Sequence, residues 1–187
     1  MTVSDEAWAR LHQLRLKGML EAAEGGAAAE LVEAGWALQR GTREVITPAG
    51  RAANEEWARL PAGSEAETAA KEAYERFLAL DLQVKEIVTT WQLEGGSGES
   101  FSAEEWKLVD RLSQVHQKTG FLRRLSEVAP RFGNYRTRLS GALQQLEDGN
   151  RPFLSGLMVD SYHTVWWQLH EDLLAALGIA RSDDPNQ

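Results

Sequence analysis

Two histidines, His163 and His170, stand seven residues apart in the segment VDSYHTVWWQLHEDLLAALG (Val159 to Gly178). On a helical wheel of about 100° per residue, Val159, His163, Trp166, Trp167, His170, Leu173, Leu174 and Leu177 share one face, with the imidazoles near its centre. Asp160 and Glu171 fall on one margin and Tyr162 on the other. A second apolar stripe, Ala70, Ala73, Tyr74, Phe77, Val84, Val88 and Trp91, encloses Asp81. A carboxylate in such a stripe must be paired or hydrogen-bonded, or its proton affinity rises. An aspartate facing an imidazole is the usual way to orient a general base. Asp81 is therefore expected to face His163 or His170 in an interior ligand-binding site lined by Phe77, Trp166 and Trp167. Three readings stay open for it: a polar network that fixes helix register, a small-molecule pocket, or catalysis. No metal is expected. Helical metal ligands favour i, i+3 or i, i+4 spacing, the histidines are i, i+7, and Asp160–His163 is a single pair of a common kind. No cofactor is expected either.

A second constellation is basic. Arg123, Arg124, Arg131, Arg136 and Arg138 lie close together, with Glu127 as the only acid between 123 and 138. Arg131 and Arg138 flank a core stripe of Phe132, Tyr135, Leu139, Leu143 and Leu146. Arginines beside an apolar face clamp carboxylates or phosphates at a pocket mouth, or they pair with neighbouring acids on a solvated face. Arg131 and Arg138 are accordingly candidate anion ligands. There is no nucleophile elbow, and Gly95-Gly-Ser-Gly98 has no strand before it, so it reads as linker rather than nucleotide cradle. With no cysteine in the chain, thiolate chemistry and disulfides are excluded. His12 and His116 read as isolated surface or boundary residues.

The elements that must hold these residues are mostly helices. Ser64 with Glu67 and Ser102 with Glu105 have capping-box spacing. They start helices expected to run to about Leu93 and to about Ala129, where Pro130 stops the second. Between them, residues 94–100 read as a flexible loop. A third helix is expected over Arg131–Glu147, and a last one over roughly Met158–Leu177. Residues 64–180 thus read as an antiparallel bundle of about four helices, and 181–187 as a disordered tail.

Residues 1–60 have another rhythm. Ser4 caps a first helix. Short helices are expected over Met19–Glu24 and Ala27–Ala34, the latter closed by Gly35. The residues around Gly41-Thr42 read as a hairpin. Thr47 and Pro48 then restart a helix to about Leu60. Three helices, a hairpin and a helix are the order of a winged helix. The stretch ELVEAGWALQRGTREVITPAGRAA (Glu30 to Ala53), with Leu31, Gly35, Trp36 and Ile46-Thr-Pro-Ala-Gly-Arg51, resembles the recognition-helix end, wing and following helix of bacterial winged-helix regulators of the MarR and PadR type. The last helix, with PRFGNYRTRL (Pro130 to Leu139), resembles the C-terminal helical part of small actinobacterial winged-helix proteins and of tails attached to some phosphoenolpyruvate-utilising phosphotransfer proteins. The resemblance implies a cytoplasmic regulatory module with no transferable catalytic residues. The overall expectation is a mostly α protein, with a degenerate winged-helix head carrying a short β-hairpin ahead of the bundle.

The head departs from a DNA reader where reading would occur. The helix before the wing, Gly26 to Gly35, has no basic residue and two glutamates, whereas base-reading helices carry Arg, Lys, Asn or Gln. Residues 1–60 hold seven basic and nine acidic side chains. Arg40 and Arg43 on the wing, with Arg15, are the candidates for phosphate contact. The whole chain has a net charge of −8, which disfavours general nucleic-acid binding. Seven tryptophans suit a core or an apolar ligand pocket. Neither a signal-like start nor a membrane-spanning run is present. These features predict a cytoplasmic, ligand-responsive regulator whose bundle binds a small molecule and forms a homodimer, and whose head binds DNA or a protein partner. The competing readings are a small-molecule-binding or catalytic bundle, and an enzyme accessory module, each with a head that no longer reads DNA.

Overall fold

The computed structural model describes residues 3–94 and 100–186; the linker read at Gly95–Gly98 lies outside them. The protein is mostly helical, with one small three-stranded antiparallel sheet. It divides into two compact units, Met1–Leu60 with Leu174–Ile179, and Pro61–Leu173 with Ala180–Gln187. Residues 174–179, expected in the bundle, instead cluster with the first unit.

In the first unit, α1 (Asp5–Lys17) begins at Ser4, whose side chain accepts from the Ala7 amide at 3.2 Å. Glu30, on α2 (Gly26–Glu33), accepts from the Ser4 amide at 2.7 Å and from its hydroxyl at 2.9 Å, so this acid has a structural partner. Gly18, at φ +78°, ends α1 in a conformation side chains resist. The chain then forms β1 (Met19–Glu21), where the sequence predicts a short helix. One helical turn squeezed between glycines cannot repay its nucleation cost. The same residues gain ladder bonds by pairing Met19 with Val45 and Glu21 with Arg43. The hairpin of β2 (Ala37–Arg40) and β3 (Arg43–Ile46) turns at Gly41-Thr42 as expected, and the sheet order is β1-β3-β2.

Thr47 caps α3 (Pro48–Ala58): its hydroxyl accepts from the Gly50 amide at 3.0 Å and donates to the Gly35 carbonyl at 2.8 Å. A Cβ on Gly50 would collide with the Trp36 carbonyl, which gives the glycine of the Thr-Pro-Ala-Gly motif a steric reason. Ala7, Leu11, Leu14, Leu31, Ala37 and Ile46 form the core, with Trp8 and Trp36 packed against it. Trp8 stacks on Trp57 at 5.6 Å. His12, expected at the boundary, is buried, with Nδ1 3.2 Å from Asn54 Oδ1. Glu44 on β3 is fully buried and receives Arg10 Nε at 2.8 Å.

In the second unit, α4 (Glu65–Glu94) packs against α5 (Ala103–Gln117) and α6 (Phe121–Val128). α7 (Gly133–Glu147) packs against α5, α6 and the short α8 (Pro152–Ser155). The last helix, α9, spans Tyr162–Leu177. Among the described residues, no helix is long and apolar enough to cross a membrane. The box at Ser102 and Glu105 is complete. At Ser64 the hydroxyl takes the Glu67 amide at 3.0 Å, but the Glu67 carboxylate reaches back to the Gly63 amide at 2.7 Å.

Two corrections concern helix ends. The helix expected over residues 103–129 is broken at Lys118–Gly120 by a 3-10 turn, in which the Thr119 hydroxyl donates to the His116 carbonyl at 2.7 Å. α9 starts at Tyr162 rather than Met158, where the Ser161 hydroxyl accepts from the Thr164 amide at 3.2 Å. A third correction matters more. The expected disordered tail is ordered through residue 186: it makes a 3-10 turn at Arg181–Asp183 and then buries Asp184.

Candidate functional site

The ligand residues read from the sequence lie on α4 and on the part of α9 that belongs to the second unit. Phe77 stacks on Trp166 with ring centroids 4.6 Å apart, and Phe77 and His170 are 4.8 Å apart. The one-turn spacing of Trp166 and His170 therefore sets both over a single phenyl ring. Asp81, one turn after Phe77, is 2% exposed. Its Oδ1 accepts the Trp166 indole N–H at 3.0 Å, and its Oδ2 lies 2.9 Å from Lys85 Nζ. Asp81 thus finds its partners in an indole and a lysine. Both histidines feel its charge, yet neither imidazole is its hydrogen-bond partner among the bonds seen.

The carboxylate beside His170 comes from the tail. Asp184 Oδ2 approaches His170 Nε2 to 3.0 Å, without the alignment of a hydrogen bond. Asp184 Oδ1 accepts the Tyr74 hydroxyl at 2.8 Å. Asn186 donates through Nδ2 to the Leu78 carbonyl at 2.9 Å and to Asp81 Oδ2 at 3.3 Å, and its own carbonyl accepts from Lys85. The tail therefore joins two buried carboxylates, Asp81 and Asp184, into one network with Tyr74, Lys85, Trp166 and His170.

The electrostatics keep the imidazoles neutral. Burial pushes His170 below its ordinary range, and the opposing pull of Asp184 and Asp81 does not restore it. His163 is half-buried and also lowered, by burial first, with Asp81 opposing and Lys85 assisting. Burial and the Asp184 carboxylate push the Tyr74 hydroxyl far up. A neutral imidazole beside a carboxylate has the form of a general base. Here Asp184, only 6% exposed, sits against it, so chemistry on an outside molecule requires the tail to move.

The remaining candidates separate from this centre. Trp167 is partly exposed and lies under the Arg181 guanidinium at 5.9 Å. Arg131 Nε meets Asp172 Oδ1 at 3.0 Å, and the Tyr135 hydroxyl donates to Asp172 Oδ2 at 3.1 Å. Arg138 makes two bonds to Asp160, at 2.9 and 3.1 Å, and one to Gln168 Oε1 at 2.7 Å. Both guanidiniums are thus engaged by acids of the same chain. This corrects the expectation that they stand open to an external anion. In the first unit, Arg40 and Arg43 are exposed and face each other across the hairpin. Arg15 is half-buried, with a buried Nη1 that has no hydrogen-bond partner among the described residues. Ala29, Val32 and Glu33 form the exposed side of α2.

Sequence reasoning missed Asp184 and Asn186, because a short polar C-terminal stretch carries no periodicity. It also missed Lys85, although its i, i+4 spacing from Asp81 was a usable signal. Among the described residues, no group of three or more His, Asp or Glu side chains is placed to hold a metal ion. The chain matches no family model, no curated protein and no solved structure.

Proposed function

We propose that this chain is a ligand-responsive regulatory protein of winged-helix ancestry, with a sensing and dimerising helical bundle and a head that docks a protein partner rather than reading DNA. The observation that carries the reading is the buried network of Asp81, Trp166, His170 and Asp184, closed by a tail of a few residues. A closure this short rests on few contacts, so a small molecule that engages the neutral imidazoles can displace it. Such an element is bistable in the sense a sensor requires.

The head supports the second half of the proposal. Its order, α1-β1-α2-β2-β3-α3, supports that ancestry, since it would follow from a winged helix that lost one helix between β1 and β2. The surviving pre-wing helix offers Ala29, Val32 and Glu33 outward. A small, apolar and acidic face repels phosphate and carries no donor for a purine edge, and it suits a protein surface. Arg40 and Arg43 alone support weak, salt-sensitive phosphate contact. In the bundle, Leu157 and Met158, 85% and 90% exposed, supply uncovered apolar surface for a second copy.

The test is a small-molecule screen on the full chain, read by tryptophan fluorescence and by amide exchange at residues 180–186. The expected result is a compound that changes fluorescence and accelerates tail exchange, with both effects lost in His170→Leu. A parallel selection from random duplex DNA at physiological salt should return no specific sequence. A sequence-specific, salt-tolerant DNA complex would overturn the reading of the head. A compound that binds without touching tail exchange would overturn the reading of the site.

A further inference from the structure

The arginine cluster between 123 and 138 splits by helical geometry. Residues two apart on a helix point about 200° apart. Arg138 therefore faces Asp160 and Gln168, while Arg136 looks the other way. On that other face, Gly133, Arg136, Thr137 and Ser140 of α7 follow an i, i+3, i+4, i+7 stripe. They line a groove of about 360 Å³ together with Arg123 and Ser126 of α6. Among the described residues, neither Arg123 nor Arg136 forms an ion pair, whereas Arg131, Arg138 and Arg151 all do. Arg123 also borders a second concavity, of about 210 Å³. Arg76 and Arg124 line it too, and Glu72, 4.0 Å from Arg124, is its one acid. In a chain of net charge −8, Arg123 and Arg136 thus stand out as basic side chains with no ion pair among the described residues.

We infer that the groove between α6 and α7 binds the phosphate group of a small phosphorylated molecule between Arg123 and Arg136. The hydroxyls favour phosphate over carboxylate. Ser126 Oγ already donates to the Arg123 carbonyl at 2.7 Å, which fixes one wall. Thr137 adds a second hydroxyl. Ser140 Oγ lies 3.0 Å from His116 Nε2, and His116 Nδ1 lies 3.4 Å from the buried Tyr162 hydroxyl. With Tyr162 donating to Nδ1, the imidazole proton sits on Nε2 and points at Ser140 Oγ. That leaves the Ser140 proton free for a ligand in the groove. Two guanidiniums and the Thr137 and Ser140 hydroxyls then offer more donors than the two oxygens of a carboxylate can accept. The volume holds a phosphate and a small organic group. This site is separate from the Asp81–His170 network and does not depend on the reading given to it.

The experiment titrates the full chain with inorganic phosphate, glycerol 3-phosphate and citrate, at constant ionic strength set with chloride. Binding is read by calorimetry and by the His116 ring resonances. Saturable binding of both phosphate compounds in preference to citrate is expected, with the His116 resonances moving along the same isotherm. Arg123→Gln and Arg136→Gln should each weaken binding about tenfold or more, and Lys107→Gln, at an exposed side chain of α5 paired with Glu104, should leave it unchanged. Both groove arginines are exposed, so the variants keep the wild-type circular dichroism. No saturable phosphate binding would overturn the assignment. So would binding undiminished in the double variant, or citrate binding more tightly than phosphate.

Discussion

Replacing Asp184 by alanine tests whether the tail locks the second unit. The substitution removes the acceptor of the buried Tyr74 hydroxyl, now at 2.8 Å, and the carboxylate beside His170 Nε2, at 3.0 Å. A buried donor left without a partner costs about 1–3 kcal/mol, and a hydrogen bond to a charged group contributes about 1.5–3 kcal/mol. Relief of burying the Asp184 carboxylate offsets part of the loss. The expected net destabilisation is therefore about 2 kcal/mol. With a urea slope of about 2 kcal/mol per molar, the midpoint should fall by about 1 M.

Asp184→Asn, which keeps an acceptor oxygen, should cost about half as much. Tyr74→Phe combined with Asp184→Ala should cost less than the sum of the two, by about 1 kcal/mol, since each removes the same bond. The assay is urea unfolding of the wild type and the four variants, followed by far-ultraviolet circular dichroism and tryptophan emission. An Asp184→Ala midpoint within about 0.2 M of wild type, or strict additivity with Tyr74→Phe, would show that the tail does not lock the unit. The experimental precision suffices to tell these outcomes apart.

Two further outcomes follow from the same geometry. Gly50→Ala forces a methyl group against the Trp36 carbonyl, a backbone atom that cannot rotate away. A loss of about 3 kcal/mol is expected, seen as a lowered thermal midpoint; wild-type stability in that variant would refute the steric account of the motif. The pH dependence is set by His116, His163 and His170, which burial holds below their ordinary range. The unfolded chain then takes up protons first as pH falls below about 6.5. The stabilising contribution is complete above that value and is lost progressively toward the folded-state values. Urea midpoints should fall between pH 7 and pH 5, and less so in His170→Leu. A flat profile in that window would contradict the burial argument.

The local elements were legible in the residues because their causes are local. Ser4, Thr47 and Ser102 cap their helices as their types and spacing require, and Gly41-Thr42 turns the hairpin. The stripe that enclosed Asp81, and the one that carried His163, Trp166, Trp167 and His170, announced buried polar groups; Asp81 and His170 are buried, whereas His163 is half-buried and Trp167 partly exposed. Which partners they take was beyond the sequence. Asp81 meets Trp166, 85 residues away, and Tyr74 meets Asp184, 110 residues away. Such pairings are selected by the packing of whole helices, not by any local spacing. The same holds for the arginines. Their clustering is visible in the chain, but only the positions of Asp160 and Asp172 decide that Arg131 and Arg138 are ion-paired, while Arg123 and Arg136 form no ion pair among the described residues. The tail shows the limit most plainly. Polar residues without periodicity look disordered until a buried tyrosine and histidine, set in place by distant helices, give an aspartate its partners.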